Sequence, residues 1–206
     1  MSQAFRGIIH LYGIETFEIF QKSHVMIIGL GGVGSWAAES LVRSGVGTIS
    51  LVDMDDVCVT NINRQLQALN SSIGKPKVEV LASRLQDINP QCKINIVYDF
   101  VSECNAQDII EGVDFCFDAI DSLSAKCLIF KICTEKKIGL LVSGSSAGKK
   151  NPSLVSIKDM ARTEHDKLLA RMRKKMKSDK ILPPYKQKKI FTDCVSSSEE
   201  SVFSSE

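Results

Sequence analysis

The sequence predicts an α/β protein: a Rossmann-like, doubly wound, mostly parallel sheet with helices on both faces and a basic helical C-terminal extension. Three observations predict it. Short β-rich apolar runs alternate with helix-length amphipathic segments between residues 25 and 143, an order that requires crossover connections and hence parallel strands. The run VMII at 25–28 leads straight into Gly29-Leu-Gly31-Gly32-Val-Gly34, a glycine turn between a strand and a helix. Asp53 ends the next apolar run, nineteen residues after Gly34, where folds of this kind place a carboxylate against ribose hydroxyls.

The elements follow in order. Residues 14–22 carry Ile14, Phe17, Ile19 and Phe20 at helical spacing, a short amphipathic helix ahead of the first strand. Gly45 stops the helix that the glycine turn begins. Residues 54–76 are polar and too long for a simple connector; loops of that length are usually functional or disordered. Residues 77–88 form a helix that Asn89-Pro90 terminates. Strand-like runs occupy 93–98, 113–117 and 139–143, with helices over 106–111 and 123–136. Past Gly148, 152–159 reads as one more strand and 163–180 as a basic helix with Leu168, Leu169, Met172 and Met176 on one side, broken by Pro183-Pro184. The expected division is a nucleotide-binding domain over 1–160, a basic extension over 161–195, and a disordered Ser/Glu-rich tail over 196–206.

Composition narrows the partners. The 206 residues carry a net charge of +2, but residues 167–189 hold ten Lys/Arg against the single acid Asp179. A basic segment on an otherwise acidic body suits a polyanion, although a solvated face is the commoner reason for a lysine run. Seven cysteines with no C-x-x-C pair argue against a disulfide framework or a zinc ribbon and for a reduced, cytoplasmic protein. No signal peptide or membrane-spanning run is expected. His10, His24 and His165 lack metal-ligand spacing, and Cys116 and Cys127 fall on apolar faces.

The glycine turn calls for an anion, since helix-opening amides and the helix dipole both face it. What chooses the chemistry is a second set of residues: Asp53, Asp55, Asn61, Arg64, Gln65, Lys77 and Asp121. Arg64 and Lys77 offer two cations for a triphosphate, and Asp55 and Asp121 offer carboxylates for Mg²⁺. Hydride transfer needs little beyond the glycine turn and Asp53; departure of pyrophosphate calls for what Arg64, Lys77 and Asp121 supply. Singly, each has a plainer role: Arg64 an exposed loop cation, Lys77 a helix-opening residue, Asp121 an N-cap.

Here the chain resembles a known family. The glycine turn, Asp53-x-Asp55, Asn61-x-x-Arg64-Gln65, Pro76-Lys77 and Asp118-Ala-Ile-Asp121 match the ATP-binding pattern of the ThiF-type superfamily, which includes ubiquitin-activating enzymes and adenylyltransferases of sulfur-carrier proteins. LVDMDDVCVTNINRQ, INPQC, DAIDS, SGSSAG and DCV are most similar to its branch of tRNA threonylcarbamoyladenosine dehydratases. The resemblance implies ATP and Mg²⁺ as cofactors. It implies adenylation of the threonylcarbamoyl carboxylate beside the anticodon, followed by cyclisation. Gly29, Gly31, Gly32 and Gly34 would line the phosphates, Asp53 would hold the ribose, Asn61, Arg64 and Lys77 would contact the triphosphate, and Asp121 would bind Mg²⁺. Arg171, Arg173, Lys174, Lys175 and Lys177 would meet tRNA phosphates.

The resemblance also implies a homodimer, an arginine supplied across its interface (Arg6 lies near that place), and a possible sulfur-relay protein partner. Paired C-x-x-C zinc ligands, frequent in the sulfur-carrier branch, are absent here. The rival readings are an adenylyltransferase acting on a ubiquitin-like or sulfur-carrier C-terminus, a non-catalytic ATP- or RNA-binding protein, and an NAD-dependent dehydrogenase. Cys194 is a candidate thiol for the first of these, set against a plain buried cysteine.

Overall fold

The computed structural model describes residues 3–182 and 189–202. The expected break at Pro183-Pro184 and the lysines at 186 and 188 lie outside the described residues. Among the described residues, seven strands form one sheet: β1 (His24–Ile28), β2 (Thr48–Val52), β3 (Lys93–Val97), β4 (Phe115–Asp118), β5 (Gly139–Ser143), β6 (Val155–Asp159) and β7 (Asp193–Ser197), in the spatial order β3-β2-β1-β4-β5-β7-β6. All pairings are parallel except β6 with β7. The order reverses between β1 and β4, so a crevice opens beyond the carboxyl ends of these two strands.

The helices are α1 (Arg6–Tyr12), α2 (Ile14–Lys22), α3 (Gly34–Arg43), α4 (Lys77–Ile88), α5 (Ala106–Ile109), α6 (Leu123–Lys136) and α7 (Lys167–Ser178). Alternation along β1 distributes them. Val25 and Ile27 pack with Ala38, Val42, Leu81 and Leu85 under α3 and α4, while Met26 and Ile28 pack with Cys116, Ile129 and Ile132 under α6. A strand buried on both faces reads as a continuous apolar run for this reason. A third cluster joins Phe130 of α6 to Leu169, Met172 and Met176 of α7 and to Cys194 of β7. Leu168, expected with them, is only half-buried.

Two features depart from the expectations. Residues 6–12 form α1, set off from α2 by Gly13 at φ +84°. The tail expected to be disordered over 196–206 is ordered through 202: Ser196 and Ser197 are buried in β7, Ser198 N donates to Leu154 O at 3.1 Å and Val202 N to Gly148 O at 2.9 Å. The Glu199 carboxylate accepts from Lys150 N and Asn151 N at 2.8 and 2.9 Å. Backbone pairing needs no apolar side chain, so Ser/Glu composition did not announce the strand. Because β6 and β7 extend the same sheet, a boundary at 160/161 separates no independent core.

Glu39 links α3 and α4, accepting from Arg43 Nε at 2.8 Å and Arg84 Nε at 2.6 Å. The hydrogen bond from Arg84 is the largest influence holding its carboxyl below the usual glutamate range, with burial opposing it. A depressed native pKa contributes stability above the unfolded pKa that is lost as pH falls through the native one. Glu39→Gln is therefore expected to cost up to about 1 kcal/mol at neutral pH and to flatten the acid limb of the stability–pH curve. Urea unfolding at pH 3, 5 and 7 checks it; a constant difference from the unsubstituted chain across that range would refute it.

Candidate active site

A cleft of about 440 Å³ lies at the carboxyl ends of β1, β2 and β4 and is lined by the glycine turn, the 53–65 loop, Lys77, the loop after β3 and the turn after β4. Its floor is set by sterics. Gly29 holds φ +90°, and a Cβ there would stand 2.9 Å from Ala119 O. A Cβ on Gly34 would lie 1.9 Å from Gly29 O, so α3 seats directly on the turn. Gly29, Gly31 and Gly32 line the cleft; Gly34, expected with them, is not a lining residue but a packing one. At Gly31 an added Cβ would meet nothing within 4 Å, which leaves the backbone open to an incoming phosphate.

Asp53 is fastened to the turn: its Oδ2 accepts from Leu30 N at 2.6 Å and its Oδ1 from Asp55 N at 2.9 Å. Lys77, the first residue of α4, is buried, and its Nζ stands 2.6 Å from Asp55 Oδ2 and 3.8 Å from Asp53 Oδ1. Asp55, first expected to share a metal with Asp121, is thus engaged by Lys77. This pairing sets a carboxylate against the lysine head at the cleft wall although its stem is buried.

The 58–67 segment is tied down as well. Asn61 is buried and accepts from Cys58 N at 3.1 Å. Gln67 Nε2 donates to Leu30 O at 2.8 Å, and Gln65, also buried, lies 3.4 Å from the same amide. Arg64 lays its stem on Gly32, where a Cβ would touch Arg64 Cγ at 3.2 Å. Its Nη1 donates to Thr60 O and Asn63 Oδ1, each at 2.9 Å, and Trp36 Nε1 donates to Arg64 O at 3.0 Å. Asp121 is exposed on the opposite wall and, among the described residues, its carboxylate has no hydrogen-bond or ion-pair partner.

Several participants escaped sequence reasoning. Asp99, Phe100 and Val101 line the cleft from the loop after β3, and Asn105 holds that loop through Phe100 O at 2.9 Å and Asp99 Oδ2 at 3.0 Å. Lys126 and Asp118 form a fully buried ion pair at 3.0 Å under the turn that carries Asp121. A signal existed: Lys126 falls on the same helical face as Ile129, Phe130 and Cys133, where a lysine needs a buried partner.

The basic helix is less uniform than its sequence. Arg173 points inward, its Nη1 donating to Met160 O at 2.9 Å and to Thr163 Oγ1, so it is not the exposed phosphate contact expected of it. Lys175 pairs with Asp179 at 2.9 Å, while Arg171, Lys174 and Lys177 are exposed. Cys194 is buried, and burial pushes its thiol up to about 12, which removes it as a nucleophile near neutral pH. His24 bridges Gly112 O and Ser50 Oγ, a structural role.

A glycine turn with two adjacent cations and one uncommitted carboxylate is a site for a nucleotide whose phosphates change charge. The chain belongs to the ThiF family, which matches residues 6–183. It is 43% identical over 202 residues to the tRNA threonylcarbamoyladenosine dehydratase of Escherichia coli K12, covering 98% of this chain and 75% of that protein. Solved structures of the E. coli dehydratase TcdA, in complex with AMP and with ATP, superpose with TM-scores of 0.95 and 0.94 at 42% identity, covering 99% and 98% of this chain and 83% of each of theirs.

The two kinds of glycine predict different phenotypes. Gly34→Ala is expected to lower stability by about 1–3 kcal/mol, because its Cβ meets a backbone oxygen. Gly31→Ala should melt with the unsubstituted chain yet weaken ATP binding. Thermal melts beside ATP titration calorimetry distinguish them; equal melting losses would refute the assignment.

Proposed function

We propose that this chain is an ATP-dependent tRNA threonylcarbamoyladenosine dehydratase, cyclising the modification beside the anticodon to its hydantoin form. The observation that carries the reading is the grouping of Lys77, Arg64 and Asp121 around the glycine turn. Family membership and the extent of the likeness to the E. coli dehydratase support it.

In this reading the β- and γ-phosphates of ATP lie against the amides after Gly29, and Asp53 accepts from the ribose. The threonylcarbamoyl carboxylate attacks the α-phosphorus, and the P–O bond to pyrophosphate breaks as the acyl–adenylate bond forms. Lys77 and Arg64 offset the charge gathering on the leaving pyrophosphate. A nitrogen of the modification then attacks the activated carbonyl and loses its proton, AMP departs, and the net change is loss of one water from the base. Among the described residues no group of three His, Cys, Asp or Glu side chains is arranged for a metal. A lone carboxylate suits Mg²⁺, which takes one or two carboxylates and fills its octahedron with phosphate oxygens and water. Asp121 would hold the ion, which when bound neutralises phosphate charge.

Exposed Arg171, Lys174 and Lys177, with Lys175 at the edge of its pair with Asp179, face the polyanionic tRNA. A homodimer would cover the apolar hollow of about 620 Å³ between α2, α3 and the uncovered face of β4, β5, β6 and β7, where Tyr12, Phe115 and Ile157 are exposed. The reading places the protein in the cytoplasm with its tRNA.

The decisive experiment incubates the protein with ATP, Mg²⁺ and tRNA bearing threonylcarbamoyladenosine and weighs the released nucleoside. Loss of one water is the expected result; an unchanged nucleoside from a folded, ATP-binding chain sinks the proposal. Lys77→Ala should lower kcat/KM by about 10²–10³-fold while tRNA binding, read by gel shift, stays within about twofold, since phosphate contacts on α7 supply that affinity. Retained turnover would remove Lys77 from the site. Sedimentation at micromolar concentration should give a dimer that Phe115→Asp dissociates; a monomer throughout would exclude that assembly.

A further inference from the structure

Lys126 has no exposed side-chain surface, and its ammonium reaches three acceptors: Asp118 Oδ1 at 3.0 Å, Ser143 O at 2.9 Å and, more weakly, Asp118 O at 3.4 Å. An ammonium has three hydrogens to give. Asp118 is equally buried; its Oδ1 also accepts from Ile120 N at 3.2 Å, and its Oδ2 is unpartnered among the described residues. Burial moves the Asp118 carboxyl above its ordinary range, against the pull of Lys126. A buried ion pair is weak evidence for stability, because removing two charges from water costs as much as their attraction returns. A pair with one carboxylate oxygen unsatisfied is a still poorer stabiliser.

What the pair does control is where the chain goes next. Asp118 ends β4, and Ile120 and Asp121 line the nucleotide cleft. Asp121 has no side-chain tether of its own among the described residues, so its backbone alone aims it. That backbone is set at three points: Asp118 Oδ1 on Ile120 N, Ala119 N on Ile28 O at 2.8 Å, and the close fit of Ala119 and Ile120 over Gly29. We infer that Lys126 is a positioning residue of the adenylation site: by clamping Asp118 to the end of β5 it holds the 118–121 turn so that the Asp121 carboxylate meets a nucleotide-bound Mg²⁺. The inference rests on the ATP- and Mg²⁺-dependent reading above, but not on the identity of the tRNA substrate.

The test reads metal-dependent nucleotide binding rather than turnover. Occupancy is read by titration calorimetry, which needs no reporter group. ATP is titrated with and without Mg²⁺ into the unsubstituted chain, Asp121→Asn, the double variant Asp118→Asn/Lys126→Met, and the combination of all three. The double variant removes both charges together, leaving no buried ion unpaired. The expected result is metal-free ATP affinity within about twofold of the unsubstituted chain and loss of about tenfold in the gain that Mg²⁺ brings, the usual scale for groups that orient a metal ligand. The triple variant should be no weaker than Asp121→Asn alone, since both changes remove the same contact. A folded double variant with an unaltered Mg²⁺ response overturns the inference, as does a loss that adds in full to that of Asp121→Asn. Where the double variant does not fold, Lys126→Met alone, in which buried Asp118 can take up a proton and leave no unpaired charge, is held to the same criteria. Lost metal coupling in a chain that binds Mg·ATP supports the inference even if no tRNA is dehydrated, so the two readings fail separately.

Discussion

The site depends on a distance that leaves no room for a side chain. Gly34 opens α3 within contact of the Gly29 carbonyl, and the turn after β4 presses on Gly29 from the other side. Those two contacts set α3, β1 and β4 against one another at the place where the strand order reverses. A larger residue at either glycine would push the helix or the turn outward. With the backbones this close, the helix-opening amides face the cleft, and the dipole of α3 points at whatever anion enters.

Charge is then arranged in two pairs that differ in exposure. Lys77 sits against Asp55, whose carboxylate is 66% exposed, so an entering phosphate can compete for the ammonium with modest rearrangement. Asp118 and Lys126 are wholly buried and cannot exchange partners with a ligand. The first pair is suited to respond to a nucleotide and the second to hold geometry. Between them, Asp53 uses both carboxylate oxygens on backbone amides, which makes it a brace for the glycine turn.

The C-terminal third belongs to the same body. β7 inserts between β5 and β6 through backbone bonds, and α7 closes one face of the sheet with Leu169, Met172 and Met176. The basic residues of α7 therefore share a helix with part of the core, and Arg173, one position past Met172, is drawn inward for that reason. Its neighbours Arg171 and Lys174 stay exposed because the helical period carries them to the far side.

Local information settled much of this protein. The apolar run at β1, the glycine spacing, the C-terminal Gly45 and the helix over Leu123–Lys136 are all written in neighbouring residues, because strand, turn and helix formation obey short-range periodicity and backbone sterics. The grouping of Arg64, Lys77 and Asp121 was legible only through their residue types and order. Tertiary structure decided the rest: that Lys77 takes Asp55, that Gly34 packs while Gly31 lines the cleft, that Lys126 meets Asp118, and that a serine-rich segment becomes a strand. Each depends on groups that meet across the fold, where burial and unpaired backbone choose the partner and no local pattern records the choice.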